Sequence, residues 1–228
     1  MDIVSKKQID ENSDILPSKT KRAFVFLSEQ SWMLKSEWYL AGGTALALQV
    51  GCRKSVDLDF FNPQKNIDKD DLLNNLLENK EWNTTVNKKN TIYGELFGAK
   101  VSFIAYPFFI PKQDFIQYGS IKILNSIDIA VMKIIAISQR GKKRDFFDLY
   151  WCINNIEPLE SLIKRLPEQY PLVAHNYHHI LKSLVYFEDA ELDPEPEVNF
   201  KATWPEVKKF FKKEILVVAK EYFKENQS

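Results

Sequence analysis

Two aspartates separated by a single residue carry the clearest chemistry in this sequence. Asp57 and Asp59 lie in residues 55–61, where apolar and polar residues alternate as they do in a strand. Because side chains alternate across a strand, both carboxylates are predicted to point to one side. The residues predicted to point the other way, into the core, are Val56, Leu58 and Phe60. Two neighbouring carboxylates repel each other unless a hard divalent cation such as Mg²⁺ binds them, so the pair predicts a metal site; the alternative is a solvated face of an edge strand.

A glycine-rich turn precedes this pair. Gly42 and Gly43 follow a short predicted strand, residues 38–41, and Thr44 opens a predicted helix that ends at residue 50. Glycines let backbone N–H groups come close to a phosphate, and the N-terminus of a helix favours the negative charge. The Thr44 hydroxyl could cap the helix or bind a phosphate oxygen, and we favour the phosphate. An ordinary tight turn is the alternative interpretation.

Arg53 and Ser55 lie between the turn and the aspartates. Both could contact a substrate, although Arg53 could equally form an ion pair with Asp57 or Asp59. A phosphate-binding turn beside two metal-binding carboxylates is what phosphoryl or nucleotidyl transfer requires.

Lys133 is a charged residue within an apolar helical pattern. It belongs to a predicted helix over residues 127–139, and its neighbours three and four positions away are apolar: Ile129, Ala130, Ala136 and Ile137. Its ammonium could extend to solvent at the edge of the core, or it could place a point charge on a triphosphate. The spacing alone favours neither interpretation.

Two acids open the next predicted helix, residues 144–154. Asp145 and Asp148 stand in its first turns, where the helix dipole favours negative charge. Arg144 could pair with Asp148 four positions later, which accounts for one acid more easily than for two. A local basic patch, which could contact RNA or triphosphate or simply face solvent, surrounds Gly141: Arg140, Lys142, Lys143 and Arg144.

The order of the predicted elements divides the chain near residue 125. Predicted helices cover residues 17–35, 44–50 and 68–79, and predicted strands cover 38–41, 55–61, 91–96, 100–107 and 121–124. Beyond residue 125 the strand signals stop, and helices are predicted apart from an acidic loop at 188–197. The fold class is therefore α+β, with a mixed sheet and flanking helices in residues 1–125 and an all-helical part in residues 126–228.

Composition limits the classes of partner. The chain has 31 basic and 31 acidic residues, so its formal net charge is zero, which argues against non-specific coating of nucleic acid. The polar start has no apolar core of a signal peptide, and no stretch reaches the length of a membrane span. The two cysteines are far apart in sequence and follow no metal-binding spacing. We therefore expect a cytoplasmic protein that does not engage a membrane.

Four stretches of this sequence, taken in order, resemble the motifs of the AbiEii/AbiGii-type nucleotidyltransferases. The glycine turn and its helix resemble the first motif, and residues 53–61 resemble the second. Residues 128–133 resemble the third motif, in which a lysine follows an aspartate by five positions, and residues 142–149 resemble the fourth. Four motifs in family order are far more specific than any one alone. Residues 150–228 carry no motif of this kind.

The resemblance implies the nucleotidyltransferase fold, which is also seen in DNA polymerase beta, and a toxin of a toxin–antitoxin or abortive-infection system. The resemblance further implies that the protein moves a nucleotide from an NTP to an RNA acceptor, with an antitoxin protein as partner. The implied site has a triphosphate held by Gly43 and Thr44 with Gly42, and Mg²⁺ held by Asp57 and Asp59. Its remaining implied members are a phosphate-contacting lysine and the acids of the fourth motif: Lys133, Asp145 and Asp148.

Ser102 departs from the pattern of this fold. Many relatives place a third carboxylate on the strand beside the aspartate pair, and Ser102 occupies the expected position here. Because an unactivated serine is a poor proton acceptor, either the general base lies outside this strand, with Asp148 as our candidate, or the chemistry proceeds without a dedicated base. A catalytically inactive interaction module and a metal-dependent nuclease are the alternative functions.

Overall fold

The computed structural model describes residues 4–225, with side chains to residue 220, and the chain forms two compact units, residues 1–125 and 126–228. The first contains a mixed sheet with helices, and the second contains helices, so the predicted α+β class is confirmed. Within the described residues, no helix is both long and apolar enough to cross a membrane.

Seven strands of the described chain form one mixed sheet in the N-terminal unit. They are β1 (Tyr39–Ala41), β2 (Leu58–Asn62), β3 (Trp82–Lys88), β4 (Thr91–Leu96), β5 (Ala99–Ala105), β6 (Ile116–Tyr118) and β7 (Ile121–Ile123). Their order is β3-β4-β5-β2-β1-β7-β6. The central strand β2 is parallel to β5 and antiparallel to β1, and β1 is parallel to β7.

The same unit has five α-helices among its described residues. These are α1 (Lys6–Asn12), α2 (Ser18–Ser28), α3 (Ser31–Lys35), α4 (Gly42–Val50) and α5 (Lys69–Leu77), with a 3₁₀ turn at Ser13–Ile15. The single helix predicted over residues 17–35 is thus two. The Gln30 side chain donates to the Phe26 carbonyl, and the Ser28 carbonyl accepts from the Ser120 backbone N–H, so a distant turn takes the place of the next helical hydrogen bond.

The sheet has one fully buried face. Leu40, Phe60, Phe103 and Ile92 lie side by side across β1, β2, β5 and β4, and all four are inaccessible to solvent. Trp32 and Trp38 pack against the Phe103 ring on this side. We call the other side the Asp59 face; two of its neighbouring rows are Tyr93, Ser102, Asp59 and Ala41, then Thr91, Ile104, Phe61 and Tyr39.

The strands that were not predicted lie at the two edges of the sheet. β3 and β6 were not predicted, because β3 is largely polar and β6 has three residues, and each pairs with a single hairpin partner. Leu77, in the last turn of α5, is exposed. The strands predicted over residues 91–96 and 100–107 are joined by a turn in which both Phe97 and Gly98 have positive φ.

The regular elements described in the C-terminal unit are all helices. Its helices are α6 (Ser126–Arg140), α7 (Lys143–Asn155), α8 (Leu159–Lys164), α9 (Leu166–Gln169), α10 (Tyr177–Ser183), α11 (Glu188–Glu191) and α12 (Trp204–Glu225). Gly141, with φ of 52°, separates α6 from α7, so the helices pack antiparallel through a short connection. The acidic stretch predicted as a loop opens with α11 and is irregular after it.

Candidate active site

The start of α4 and the Asp59 side chain meet at the end of β1. Ala41 pairs with Asp59 across β1 and β2, and α4 begins at the next residue, Gly42. Gly42 has φ of 71°, and a Cβ placed there would lie 3.3 Å from Asp59 Oδ2. A Cβ on Gly43 would lie 2.1 Å from Arg53 Nη2. The two glycines therefore let a carboxylate and a guanidinium approach the helix N-terminus.

Thr44 ties the turn to the loop that carries the second motif. Its buried hydroxyl donates to the backbone carbonyl of Asp57 and lies 2.8 Å from Ser55 Oγ. The structure thus brings Thr44, Ser55 and Asp57 together beside Gly43 and Arg53. In this arrangement the Thr44 side chain holds the loop, and the N-cap residue of α4, Ala41, makes no side-chain cap.

The predicted strand over residues 55–61 is wrong at its beginning. β2 starts at Leu58, so Asp57 precedes the strand, and Val56 is exposed where the alternation predicted core. The pairing of β2 with β1 ends at Asp59, because the chain leaves the sheet after Ala41 and enters α4, and its pairing with β5 ends at Leu58, the partner of Val101. Asp57 has no residue of β1 to pair with. Shared strand geometry therefore does not place the two carboxylates on one side.

Ser102 lies directly beside Asp59 in the sheet. The two residues are register partners in β2 and β5, and Ser102 Oγ donates to Asp59 Oδ1 over 2.6 Å. One carboxylate oxygen is therefore oriented by the serine, while the other lies toward Gly42. The sequence pointed to Ser102 as a missing carboxylate, and the structure shows a hydrogen-bond donor to the carboxylate that is present.

The candidate metal ligands are few. Among residues that the structure describes, no group of three or more His, Cys, Asp or Glu side chains is arranged to hold a metal ion. Asp57 and Asp59 are hard oxygen donors of the type that Mg²⁺ takes, and Mg²⁺ normally completes its shell with water and substrate phosphates. The Asp59 carboxylate beside the N-terminus of α4 fits that mode of binding, and Asp57 is close to the same turn through its backbone carbonyl.

A second cluster of predicted site residues forms within the C-terminal unit. Lys133 Nζ on α6 lies 2.6 Å from Asp145 Oδ1 and 2.6 Å from Asp148 Oδ2 on α7. Arg140 adds a second cation 3.1 Å from Asp145. Lys133 is 4% exposed and Asp148 is 1% exposed. Lys133 is therefore neither a lysine that reaches solvent nor an exposed point charge, but the shared partner of two buried carboxylates.

The charges of this cluster control the protonation of Asp145. Burial by itself raises the pKa of the Asp145 carboxyl, but the attraction of Lys133 and Arg140 outweighs it and holds the pKa below its ordinary value. Asp145 is therefore ionised at neutral pH.

Two sets of contacts in this unit were not predicted from the sequence. Gln169 of α9 donates to the buried Asp128 at the start of α6, the aspartate of the third motif. The basic patch is partly neutralised, because Lys142 pairs with Asp193 and the Lys143 ammonium donates to the Asp193 carbonyl. No local pattern signals either contact, since the partners are 41 and about 50 residues away.

Comparisons with known proteins agree with the order of these motifs. The model of the family described as "Nucleotidyl transferase AbiEii toxin, Type IV TA system" matches residues 33–123 and 92–216. An uncharacterized protein of Aquifex aeolicus is 34% identical over 186 residues, which are 79% of this chain and 87% of that protein.

Solved structures show the same fold. JHP933 from Helicobacter pylori has a TM-score of 0.54 and 18% sequence identity, over 98% of this chain and 97% of that chain. MenT4, the nucleotidyltransferase toxin Rv2826c from Mycobacterium tuberculosis, has a TM-score of 0.51 and 15% identity, over 94% of this chain and 89% of that chain. The mixed sheet and the helical second unit are thus an arrangement known from nucleotidyltransferases.

Proposed function

This chain belongs to the AbiEii family of nucleotidyltransferase toxins, and from that premise we propose that it transfers a nucleotide from an NTP to an RNA acceptor. The activity is that of the toxin in a toxin–antitoxin or abortive-infection pair, and an antitoxin protein is its partner. The family makes the chain a nucleotidyltransferase; the acceptor and the antitoxin are the proposed parts.

The observation that carries the proposal is the placement of Asp59 at the start of α4. A helix N-terminus without a side-chain cap attracts a phosphate, and an adjacent carboxylate would repel it. The two features are compatible in one site if a cation stands between them. The triphosphate is then held by the turn of Gly42, Gly43 and Thr44, with Arg53 and Ser55 beside it.

Mg²⁺ is the proposed cation, and Asp57 and Asp59 are its proposed protein ligands. When bound, Mg²⁺ supplies charge neutralisation to the phosphates. The chain's own contribution is to fix the carboxylate: Ser102 orients one oxygen of Asp59, and the absence of a side chain at Gly42 leaves room for the other.

Lys133 is the proposed phosphate contact of the third motif, and its two partners define how it could act. It would exchange one carboxylate for a phosphate oxygen. Asp145 retains Arg140 as a partner after such an exchange, and the Asp148 carboxylate released by Lys133 would be competent as a general base. In this proposal Asp145 positions the lysine, and Asp148 both positions it and takes the proton of the acceptor hydroxyl.

The test is incubation of the protein with each labelled NTP, Mg²⁺ and total RNA. Wild type should label RNA, and Asp59→Asn should not. Asp70→Asn is the matched control, because Asp70 is an exposed acid in the first turn of α5 and lies outside the four motifs. RNA that is shortened instead of labelled would assign a nuclease, and unchanged RNA would assign an interaction module; either result overturns the proposal.

A growth assay tests the toxin role separately. Expression of wild type without its antitoxin should arrest growth, and Asp59→Asn expressed to the same level should not. Growth arrest by Asp59→Asn would separate toxicity from nucleotidyl transfer.

A further inference from the structure

The Asp59 face carries an exposed aromatic residue in the same row as Asp59. Tyr93 of β4 pairs with Ser102 of β5, and Ser102 pairs with Asp59 of β2. Neighbouring strands are about 4.8 Å apart, so Tyr93 stands about 10 Å from Asp59 along the row. Its side chain is 40% exposed, although tyrosine usually buries most of its ring.

More rings continue from the next row of the same face. Phe61 follows Asp59 by two residues on β2 and therefore points the same way. Its ring centroid lies 5.6 Å from that of Tyr106, which lies 5.7 Å from that of Phe108. Phe108 is 48% exposed. We call Tyr93, Phe61, Tyr106 and Phe108 the aromatic shelf.

Lysines border the shelf on the side away from β1. Lys88 of β3 pairs with Thr91, which pairs with Ile104, the neighbour of Phe61. Lys89 follows in the β3–β4 turn, and both lysines are exposed. The carbonyl of the next residue, Asn90, accepts from the Ala105 N–H, which brings the turn beside Tyr106. Cations thus stand at the edge of an exposed set of rings in a protein with no net charge.

We propose that the aromatic shelf binds unpaired bases of a single-stranded RNA acceptor, with the phosphates toward Lys88 and Lys89. The inference rests on the proposed function, since it places the acceptor of that same site. Bases that are not paired expose their faces to aromatic side chains, whereas a duplex hides them. Proteins that bind single-stranded nucleic acid usually combine aromatic side chains, on which the bases stack, with cations that contact the phosphates. The shelf begins in the row of Asp59, where an acceptor end has to arrive.

Substitutions at Tyr93 and Phe108 separate stacking from simple apolar contact. The probe is a fluorescent 12-nucleotide single-stranded RNA, and its affinity is measured by anisotropy at fixed salt. Tyr93→Leu and Phe108→Leu keep an apolar side chain but remove the ring, and each should weaken binding by about 5- to 100-fold, the loss expected for one stacked base. Tyr93→Phe keeps the ring and should bind within about twofold of wild type.

Two controls complete the design. Tyr186→Leu removes an equally exposed ring, 45% accessible, from the C-terminal unit and should leave RNA affinity unchanged. An abasic ribose-phosphate chain of the same length has no bases to stack. Its affinity for the wild-type protein should therefore be no higher than the affinity of the RNA for Tyr93→Leu. Thermal melting with and without NTP should give the same ligand-induced shift in all variants, which shows that the nucleotide site is intact.

Equal RNA affinity of wild type, Tyr93→Leu and Phe108→Leu would overturn the proposal. So would a shelf that supports self-association instead, seen as a concentration-dependent dimer that both leucine variants weaken while RNA binding is unaffected. If the leucine variants weaken RNA binding but no labelled nucleotide is ever transferred, the aromatic shelf is supported as an RNA-binding surface and the proposed function is wrong. If nucleotide is transferred and the leucine variants bind RNA as tightly as wild type, only the proposed role of the shelf is wrong.

Discussion

The Asp59 carboxylate has a defined neighbour for each oxygen. Ser102 donates to Oδ1 over 2.6 Å, and Oδ2 faces the position where Gly42 lacks a side chain. A carboxylate held this way loses little freedom when it binds a cation, because its orientation is already set. Asp57, in contrast, is placed by its backbone, whose carbonyl accepts from Thr44.

Asp57→Asn and Asp59→Asn should each remove a metal ligand while leaving the fold intact. We expect nucleotide transfer to fall by more than the roughly 10- to 100-fold that loss of an outer-shell partner costs a metal site. Without Mg²⁺ both variants should melt close to the wild-type temperature, because the strand register and the contact of Thr44 with the Asp57 carbonyl do not depend on the carboxylates. A double variant that transfers nucleotides at the wild-type rate would contradict the assignment.

Ser102 variants test whether orientation of Asp59 matters. Ser102→Ala removes the donor to Oδ1 and should lower turnover by about 10- to 100-fold with little change in NTP affinity. Ser102→Thr keeps a hydroxyl and serves as the matched control. Ser102→Asp restores a third carboxylate and should raise activity or leave it unchanged in Mg²⁺, while lowering the melting temperature in its absence. A fully active Ser102→Ala would show that the hydrogen bond is dispensable.

At the scale of an element, α4 depends on the backbone of its first residue. Gly42 has φ of 71°, which a residue with a side chain adopts at a cost of about 1–2 kcal/mol. Gly42→Ala should therefore lose about that much stability. Because the new Cβ would meet Asp59, it should also lose activity. Gly98→Ala, at φ of 76° in the β4–β5 turn, carries similar strain and should keep full activity. Equal activities in the two variants would remove Gly42 from the site.

The pairing of α6 with α7 depends on Lys133. Its replacement by methionine leaves Asp145 with Arg140 and leaves Asp148 without its Lys133 ion pair, and removing one member of a buried pair costs about 3–5 kcal/mol. Lys133→Met should therefore unfold at lower urea concentration than wild type. Adding Asp148→Asn should recover part of the loss. If the double variant is less stable than Lys133→Met alone, the two residues do not stabilise α6 and α7 as a pair.

At the scale of the whole molecule, the same cluster sets the acid limit of stability. The pKa of Asp145 is lower in the folded chain than its unfolded value of about 3.9. Its contribution is therefore fully present above that unfolded value and is lost as the pH falls through the lower folded pKa. The unfolding free energy of Asp145→Asn should change less steeply than that of wild type below about pH 4. Asp70→Asn, an exposed control, should follow the wild-type slope.

Local sequence was sufficient for the elements whose signals lie within a few residues. The glycine turn before α4, the β4–β5 hairpin and helices α6 and α7 were predicted near their observed bounds, because turn chemistry and the helical period are properties of neighbouring residues. The four ordered motifs identified the family without any tertiary information. The α+β class followed from the loss of strand signals after residue 125.

The tertiary structure decided the features that depend on a distant segment. β2 begins at Leu58 and not at residue 55, because its pairing with β1 ends at Asp59, its pairing with β5 ends at Leu58, and the Asp57 carbonyl accepts from the Thr44 hydroxyl. Ser102 meets Asp59 across 43 residues of sequence through strand register, and Lys133 meets two acids because α7 folds back on α6. Whether a polar side chain is exposed to solvent or forms a hydrogen bond within the protein depends on the residue that packs against it. That residue is often distant in sequence, so a local pattern does not reveal it.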